Sequence, residues 1–275
     1  MDWRRLAGGD PLPLDFADAF EAARDRIAPL GRRVVFFTRT GSTNDEALAL
    51  AAGDEAEGVV VIADEQTAGR GRRGHVWHSP PGSGLYVSIV LRPSRDAAAD
   101  TRTTGLLTLA AGVALAEAVE AMTGLRADIK WPNDLLIGRR KLAGILAESA
   151  AADLGYVVLG YGLNVSARAW PPEVADRATS IESELGRPVD RARLGVETIA
   201  AIARCYGDLM NGRFDAILDA WRRRSPSSRD ARVTWQTRAG PQSGVTDGID
   251  DRGALLVRVG DRVERIVGGE LVWGE

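Results

Sequence analysis

A short loop rich in glycine and arginine is the first stretch of the sequence with clear chemical potential. Its glycines, in GRGRRG at 69–74, let the backbone approach a ligand, while Arg70, Arg72 and Arg73 supply forked donors suited to phosphate or carboxylate. Trp77 follows the loop, where an indole can pack on an apolar or planar ligand. We interpret this segment as a mobile loop that closes over an anion; a solvated surface loop is the alternative.

The same loop satisfies the pattern G-x-G-x-x-G and follows an apolar strand, GVVVIADEQ, so a dinucleotide site has to be considered. Such a site needs a helix directly after the glycines, because the pyrophosphate sits on that helix's N-terminus. The next residues, HSPPGSG at 78–84, exclude a helix. We therefore reject a dinucleotide-binding motif, and no P-loop pattern occurs either.

Lysine is almost absent from the chain, which makes its two positions informative. Of 35 basic residues only Lys130 and Lys141 are lysine. Lys130 precedes a Trp-Pro corner and Lys141 begins the returning strand, so both ammonium groups can converge on one pocket. Asn133 and Asp134 lie at the same corner, although Pro-Asn-Asp is also ordinary turn sequence. Two cations beside an arginine loop suit phosphoryl or nucleotidyl transfer to an acid.

Uncharged polar side chains form a third group of candidates. Ser42, Thr43 and Asn44 precede an alanine-rich helical segment and can cap it or present their polar groups to a ligand. Gln66 is a plausible amide partner just before the arginine loop. His75 and His78 lie in a Pro/Gly-rich loop without further cysteine or histidine nearby, so we expect no metal site.

The elements that must position these residues follow from apolar periodicity. Helices are predicted over 15–28, after Ser42, over 104–122, over 190–210 and over 213–223. Strands are predicted at RVVFFT, GVVVIADEQ, LYVSIVL, ADIKWPNDLLI, KLAGILAES and YVVLGYGLNV, with turns at 138–140 and 153–155. The last fifty residues read as short strands with Gly and Asp turns, which indicates a small all-β barrel.

Composition excludes several classes of protein. A net charge of −3 and a pI near 5.6 argue against broad binding to nucleic acid or to an anionic membrane. One cysteine and the lack of a signal-peptide pattern favour the cytoplasm. The longest apolar run, LLTLAAGVALAEAV, carries Glu117 and is shorter than the roughly 20 residues of a membrane helix, so we expect no membrane span.

Four motifs in this order closely resemble the biotin-protein ligases: GSTNDEA, QTAGRGRRGHVWHSPPGSGLYVSIVLRP, KWPNDLLIGRRKLAGILAE and GYGLNV. The resemblance covers about residues 34–165 by motif, and the C-terminal GIDDRGALLVRVGDRVERIVGGE is similar to the family's SH3-like domain. It implies an α+β fold, with a mixed sheet and packed helices in a catalytic domain over 1–224. It also implies an SH3-like domain over 225–275.

The resemblance implies a two-step reaction. Biotin and ATP, with Mg²⁺, give biotinyl-5'-AMP and pyrophosphate, and a lysine of a biotin carboxyl carrier protein domain then displaces AMP. The residues implied in catalysis are Lys141, Arg70, Lys130 and Asp134. Those implied in biotin binding are Ser42, Thr43, Asn44, Gln66, Arg70, Gly71, Arg72, Trp77, Lys141, Gly144, Gly160 and Gly162. Those implied in nucleotide binding are Arg70, Arg72, Lys130, Asn133, Asp134 and Asn164.

Two alternatives stay open. A lipoate-protein ligase or octanoyl transferase shares the scaffold and a critical lysine, but the arginine loop and the C-terminal barrel favour biotin. A non-catalytic biotinyl-AMP sensor would need a DNA-reading element or a damaged site. Only 41 residues precede Ser42, so we expect no repressor function and no nucleic-acid partner. The chain is expected to be a monomer or a homodimer.

Overall fold

A computed structural model describes residues 9–53, 57–93, 102–149, 155–166, 170–238 and 240–274. Within these ranges the α-helices are α1 (Leu14–Ala22), α2 (Arg24–Ile27), α3 (Thr43–Ala52), α4 (Arg102–Thr123), α5 (Ile181–Leu185), α6 (Arg191–Met210) and α7 (Phe214–Arg224). The strands are β1 (Arg33–Thr40), β2 (Val59–Gln66), β3 (Gly84–Leu91), β4 (Asp128–Lys130), β5 (Asp134–Ile137), β6 (Arg140–Glu148), β7 (Val157–Asn164), β8 (Arg229–Thr237), β9 (Gly240–Ile249), β10 (Leu255–Val259), β11 (Arg262–Ile266) and β12 (Leu271–Trp273).

The first seven strands form one mixed sheet in the order β1-β2-β3-β7-β6-β5-β4. β1 and β2 run parallel, and every other neighbouring pair is antiparallel. β3 and β7 lie in the middle because their side chains are apolar on both faces, and all eight residues of β3 are buried. This mixed sheet with packed helices is the α+β architecture that the sequence predicts.

Helix α4 forms the centre of the helical layer and packs against α6 and α7. It has 22 residues and a best window with mean hydropathy 1.5, so by length and composition it is long enough to cross a membrane. The expectation that this segment is too short was therefore wrong, because the helix extends beyond the apolar run on both sides. However, 67% of that window is buried inside the fold, as in the core helix of a globular domain.

The remaining five strands form a separate antiparallel sheet in the order β11-β10-β9-β8-β12, which confirms an all-β C-terminal unit. Its β9–β10 turn packs against α4 and the segment after β4. Trp131 Nε1 donates to the carbonyl of Gly253 at 3.0 Å. Gly253 has φ of +80°, and a Cβ there would lie 2.7 Å from Leu109 of α4, so both backbone conformation and space require glycine.

Two helical segments differ from the sequence prediction. The helix expected over 15–28 is divided at Ala23, yet the buried side chains Phe16, Phe20, Ala23 and Ile27 keep helical spacing across the break. The apolar pattern therefore could not reveal the division. Helix α5 was not predicted, because five residues are too few for a periodic signal. Of the turn expected at 153–155, residues 153 and 154 lie outside the described residues.

Candidate active site

A cavity of about 570 Å³ lies beside β6 and β7, between the start of α3, the arginine loop and the C-terminal sheet. Every residue that the resemblance implied in catalysis, biotin binding or nucleotide binding lines this cavity. The chain thus brings four sequence motifs, which are up to 120 residues apart, to one place. Which ligand group each residue contacts stays a prediction.

The arginine loop is a hairpin-like flap that leaves the end of β2 and returns to β3. Backbone N–H groups of Gly71 and Trp77 donate to the carbonyls of His75 and Gly69, at 2.7 and 2.9 Å. The tip is a single 3-10 turn in which Arg73 has φ of +57°. The next regular element in the described chain is β3, so the structure agrees with rejecting a dinucleotide motif. We call residues 69–77 the flap.

One end of the cavity is lined mainly by uncharged polar side chains, with the Arg70–Glu148 ion pair at its border. Gln66 Oε1 accepts hydrogen bonds from the backbone N–H and the hydroxyl of Thr43, at 2.9 and 3.1 Å. Gln66 Nε2 donates to Ser79 Oγ at 2.9 Å. Ser42 occupies the N-cap position of α3 without a side-chain capping bond, so the helix-cap interpretation is not supported. We call this region the neutral end.

Ser88 is a functional candidate that the sequence analysis missed. It is 0% exposed in the middle of β3, and its hydroxyl lies 2.6 Å from Asn44 Oδ1 and 2.8 Å from Thr43 Oγ1. A hydroxyl in a strand buried on both faces must find polar partners, since an unpaired one is costly. A single serine within LYVSIVL was the available signal.

The opposite end of the cavity carries the two lysines. Lys141 Nζ lies 2.7 Å from Asp134 Oδ1. Lys130 is partly buried, and burial lowers the pKa of its ammonium group, while Asp134 raises this pKa and Lys141 lowers it further. Its Nζ is 5.4 Å from the ring centroid of Trp273, so the C-terminal sheet contributes to this end. We call this region the cationic end.

Two asparagines of the cationic end brace the backbone. Asn133 Nδ2 donates to the carbonyl of Ile145 at 2.8 Å, and Asn164 Nδ2 donates to that of Thr179 at 3.0 Å. These bonds tie the Trp-Pro corner to β6, and the end of β7 to the segment before α5. A nucleotide contact by either side chain stays a prediction.

The two ends are joined by a narrow section in which glycines give room to larger side chains. A Cβ at Gly162 would lie 2.1 Å from Trp77 Nε1, and one at Gly144 would lie 3.1 Å from the same indole. The Trp77 N–H is buried and has no hydrogen-bond partner among the described residues. Lys141 Nζ stands 5.5 Å from the indole centroid. The indole thus lies across β6 and β7 between the two ends.

The two flap arginines that were expected to meet anions have different surroundings. The guanidinium of Arg70 faces Asp45 and Glu148, and its hydrogen bond to Asp45 is the main reason that its pKa is raised. Burial lowers the pKa of Arg72, and the neighbouring Arg73 adds to this shift. Asp134 acts in the other direction and raises the pKa of Arg72. Arg70 is paired with two carboxylates, whereas Arg72 lines the cavity and suits an anion. Contacts of either with a ligand stay predictions.

Several wall residues had no counterpart in the sequence analysis. They come from the segment before α5 and from the C-terminal sheet, and are Trp170, Val174, Arg177, Ala178, Glu270, Leu271 and Trp273. The ring of Trp170 meets His78 edge-on at 6.4 Å. The tryptophan before two prolines was a weak signal, and nothing in the sequence alone places a C-terminal strand at this pocket.

Metal-binding chemistry is limited in the described part of the chain. It contains no group of three or more His, Cys, Asp or Glu side chains that could hold a metal ion. At the cationic end the lining carboxylate is Asp134, with Glu270 also lining the cavity. Such a pocket suits an ion that arrives bound to phosphates rather than one held by a protein cage.

Comparison with known proteins identifies the family. Residues 36–164 match the model of the biotin/lipoate A/B protein ligase family. The chain is 34% identical to the bifunctional ligase/repressor BirA of Bacillus spizizenii, over 89% of this chain and 75% of that protein. It is 35% identical to the biotin–[acetyl-CoA-carboxylase] ligase of Mycobacterium tuberculosis, over 90% and 93%.

Among solved structures, the biotin protein ligase from Aquifex aeolicus in complex with biotin and ATP superposes with a TM-score of 0.76. The sequences are 26% identical, and the match covers 88% of this chain and 99% of that one. Motifs, pocket and overall architecture point the same way. This chain belongs to the biotin/lipoate A/B protein ligase family, among the biotin protein ligases.

Proposed function

We infer that this protein is an ATP-dependent biotin protein ligase, which activates biotin as biotinyl-5'-AMP and transfers the biotinyl group to a protein lysine. The observation that carries this inference is the asymmetry of one continuous cavity, with uncharged hydrogen-bonding groups at one end and two lysines at the other. Biotin has the matching asymmetry, because a ureido ring and a carboxylate stand at opposite ends of the molecule.

The neutral end favours biotin over lipoate. A ureido group offers two N–H donors and one carbonyl acceptor, which suit the hydroxyl of Thr43 and the amides of Asn44 and Gln66 that line the cavity, with Ser88 holding Thr43 and Asn44 from behind. The dithiolane ring of lipoate has no such groups, so it would gain no hydrogen bonds from them. A site built to form hydrogen bonds strongly rejects a ligand that lacks the matching polar groups.

In the first step, a biotin carboxylate oxygen attacks the α-phosphorus of ATP, the bond to the β-phosphate oxygen breaks, and pyrophosphate leaves with the electron pair. Like charges of the carboxylate and the phosphates oppose this approach. Lys141 and Lys130 reduce that repulsion and stabilise charge developing at phosphorus. Arg72, on the flap above them, adds a third cation.

In the second step, the neutral amine of an acceptor lysine attacks the biotinyl carbonyl carbon, and AMP leaves. The amine must first lose a proton from a group with an intrinsic pKa of about 10.4. We propose that Asp134 orients this amine or accepts its proton, because its carboxylate lies at the cationic end. Closure of the flap keeps water from the mixed anhydride.

We propose that Mg²⁺ enters with ATP. Asp134 would be the protein carboxylate available to it, and the ion would offset negative charge on the phosphates.

The remaining features are proposals of the same kind. The acceptor is a biotin carboxyl carrier protein domain, and the protein acts in the cytoplasm as a monomer or homodimer without a nucleic-acid or membrane partner. The catalytic domain spans 1–224 and the C-terminal domain 225–275, since α7 ends at Arg224 and the second sheet begins at Arg229. Contacts of Trp131 and Lys130 with the second sheet support a shared role at the pocket.

A transfer assay tests the proposed function. The protein is incubated with biotin, MgATP and a carrier domain, and the carrier mass is measured; a carrier whose acceptor lysine is replaced by arginine serves as the control. We expect one biotinyl group on the wild-type carrier and none on the control. Transfer of lipoate or octanoate but not biotin would overturn the assignment, as would adenylate formation without any transfer.

A further inference from the structure

Arg70 attaches the flap to two carboxylates beside the neutral end. Arg70 Nη1 lies 2.6 Å from both carboxylate oxygens of Asp45, and Nη2 lies 3.2 Å from Glu148 Oε2. Asp45 belongs to the first turn of α3, and Glu148 is the last residue of β6. One residue of the flap therefore bridges a helix and a strand that both border the neutral end.

Glu148 also contacts the floor of the neutral end. The same oxygen, Oε2, accepts a hydrogen bond of 2.6 Å from Asn44 Nδ2. Asn44 is 5% exposed, and its Oδ1 accepts from Ser88. A Cβ at Gly160 would lie 2.0 Å from Asn44 Oδ1, so the amide rests directly on β7. Glu148 thus joins a fixed, buried group to a residue of the flap.

The balance of charge around Arg70 shows that its guanidinium is not a phosphate-binding group. Two carboxylates face one guanidinium, so an anion approaching Arg70 would meet a cation that is already overcompensated. Arg72, two residues further along, has the opposite surroundings, because burial lowers its pKa and the nearby Arg73 disfavours its charge. The two flap arginines therefore have different roles. Arg72 is suited to ligand binding, and Arg70 is suited to attaching the flap to α3 and β6.

We propose that Glu148 is a positioning residue that holds the flap closed through Arg70 while it orients Asn44 at the floor of the head-group site. The proposal rests on the proposed function. A ligand that hydrogen-bonds to Asn44 contacts the group that Glu148 holds in place, and Glu148 is also the carboxylate that the flap arginine pairs with. Occupancy of the neutral end is thereby coupled to retention of the adenylate.

The test is Glu148→Gln, which keeps an oxygen acceptor for Asn44 but removes the charge opposite Arg70. With preformed biotinyl-5'-AMP bound, we expect release about fivefold faster than from wild type, in line with the modest strength of partly exposed ion pairs. The KM for biotin should rise by a similar factor, while the KM for ATP and the melting temperature should stay unchanged. A purely structural ion pair would lower the melting temperature and leave adenylate release unaltered.

A double-mutant cycle checks that Glu148 acts through Arg70. Release should be no faster from the double variant Arg70→Ala with Glu148→Gln than from Arg70→Ala alone, because the second change removes a contact that no longer exists. Additive effects would overturn the proposal. Asp45→Asn is a second, independent variant, since its side chain is 54% exposed and tolerates the change; it should also accelerate release.

Two controls separate this proposal from the proposed function. Glu197→Gln removes a carboxylate of α6 that pairs with Arg26. This change should leave adenylate release unchanged. If wild-type protein forms no adenylate from biotin, the proposed function fails. If it forms adenylate and Glu148→Gln releases it at the wild-type rate, only the coupling fails.

Discussion

The two ends of the cavity are built on opposite principles. At the neutral end, Thr43, Asn44 and Ser88 are each no more than 5% exposed, and they hydrogen-bond to one another and to Gln66. At the cationic end, the side chain of Lys141 keeps 36% exposure, and one carboxylate serves two lysines. The neutral end is organised for shape and hydrogen bonding, whereas the cationic end keeps uncompensated charge for an anion.

Removing charge from the cationic end is the strongest test of the difference between the two ends. Lys141→Ala should slow biotin-dependent exchange of pyrophosphate into ATP by roughly 10²- to 10³-fold, because a charge-stabilising group is lost where charge develops. Lys141→Arg should retain part of the rate. Exchange at the wild-type rate in the alanine variant would remove Lys141 from the mechanism.

The narrow section between the two ends is tested by adding one methyl group. Gly162→Ala places a Cβ where Trp77 Nε1 lies 2.1 Å away, so the indole must move. We expect the KM for biotin to rise by about tenfold or more, in the range of overpacking costs. Gly207→Ala, at a helical position with nothing within 4 Å, is the matched control and should change neither KM nor rate.

Removing one hydroxyl should weaken the neutral end alone. Ser88→Ala removes the hydroxyl that lies within hydrogen-bonding distance of Thr43 and Asn44. Because these two side chains line the pocket, we expect an effect of about one hydrogen bond, a roughly fivefold higher KM for biotin. The KM for ATP should stay the same, because the nucleotide occupies the other end. Ser243→Ala, an exposed hydroxyl on β9, is the control. Equal changes in both KM values would show that the ends are not independent.

The smallest effect is expected at the ion pair between Arg26 and Glu197, which lies far from the cavity. A hydrogen bond from Arg26 lowers the pKa of Glu197 in the folded state. Its stabilisation is therefore present above the unfolded pKa and is lost as pH falls through the lowered folded pKa. In Glu197→Gln the free energy of unfolding should fall by less than about 1 kcal/mol at neutral pH, and its acid dependence should be shallower. Equilibrium unfolding at pH 7 and below pH 4 measures this, and an unchanged acid dependence would contradict it.

The sequence predicted those features that depend on composition and on the periodicity of apolar residues. Lys130 and Lys141 stood out because lysine is rare in this chain, and the buried strands were visible as apolar runs. Ser88 and Glu148 were missed because each is one polar residue at a strand position, and only the register of β3, β6 and β7 brings them to Asn44. Trp273 reaches Lys130 through contacts between the two sheets, which no local pattern encodes.

The division of the first predicted helix at Ala23 also shows a limit of sequence patterns. Its neighbours keep an uninterrupted apolar stripe, so periodicity predicts one helix where the backbone forms two. The C-terminal unit, by contrast, was predictable as all-β because its turns are marked by glycine and aspartate at short intervals.

A crystal structure with biotinyl-5'-AMP bound tests the central claim most directly. We predict the ureido ring within hydrogen-bonding distance of Thr43, Asn44 or Gln66, and the phosphate near Lys141 and Arg72, with Arg70 still between Asp45 and Glu148. A ligand bound in the reverse direction, with its phosphate among the neutral groups, would contradict the asymmetry on which the proposed mechanism depends.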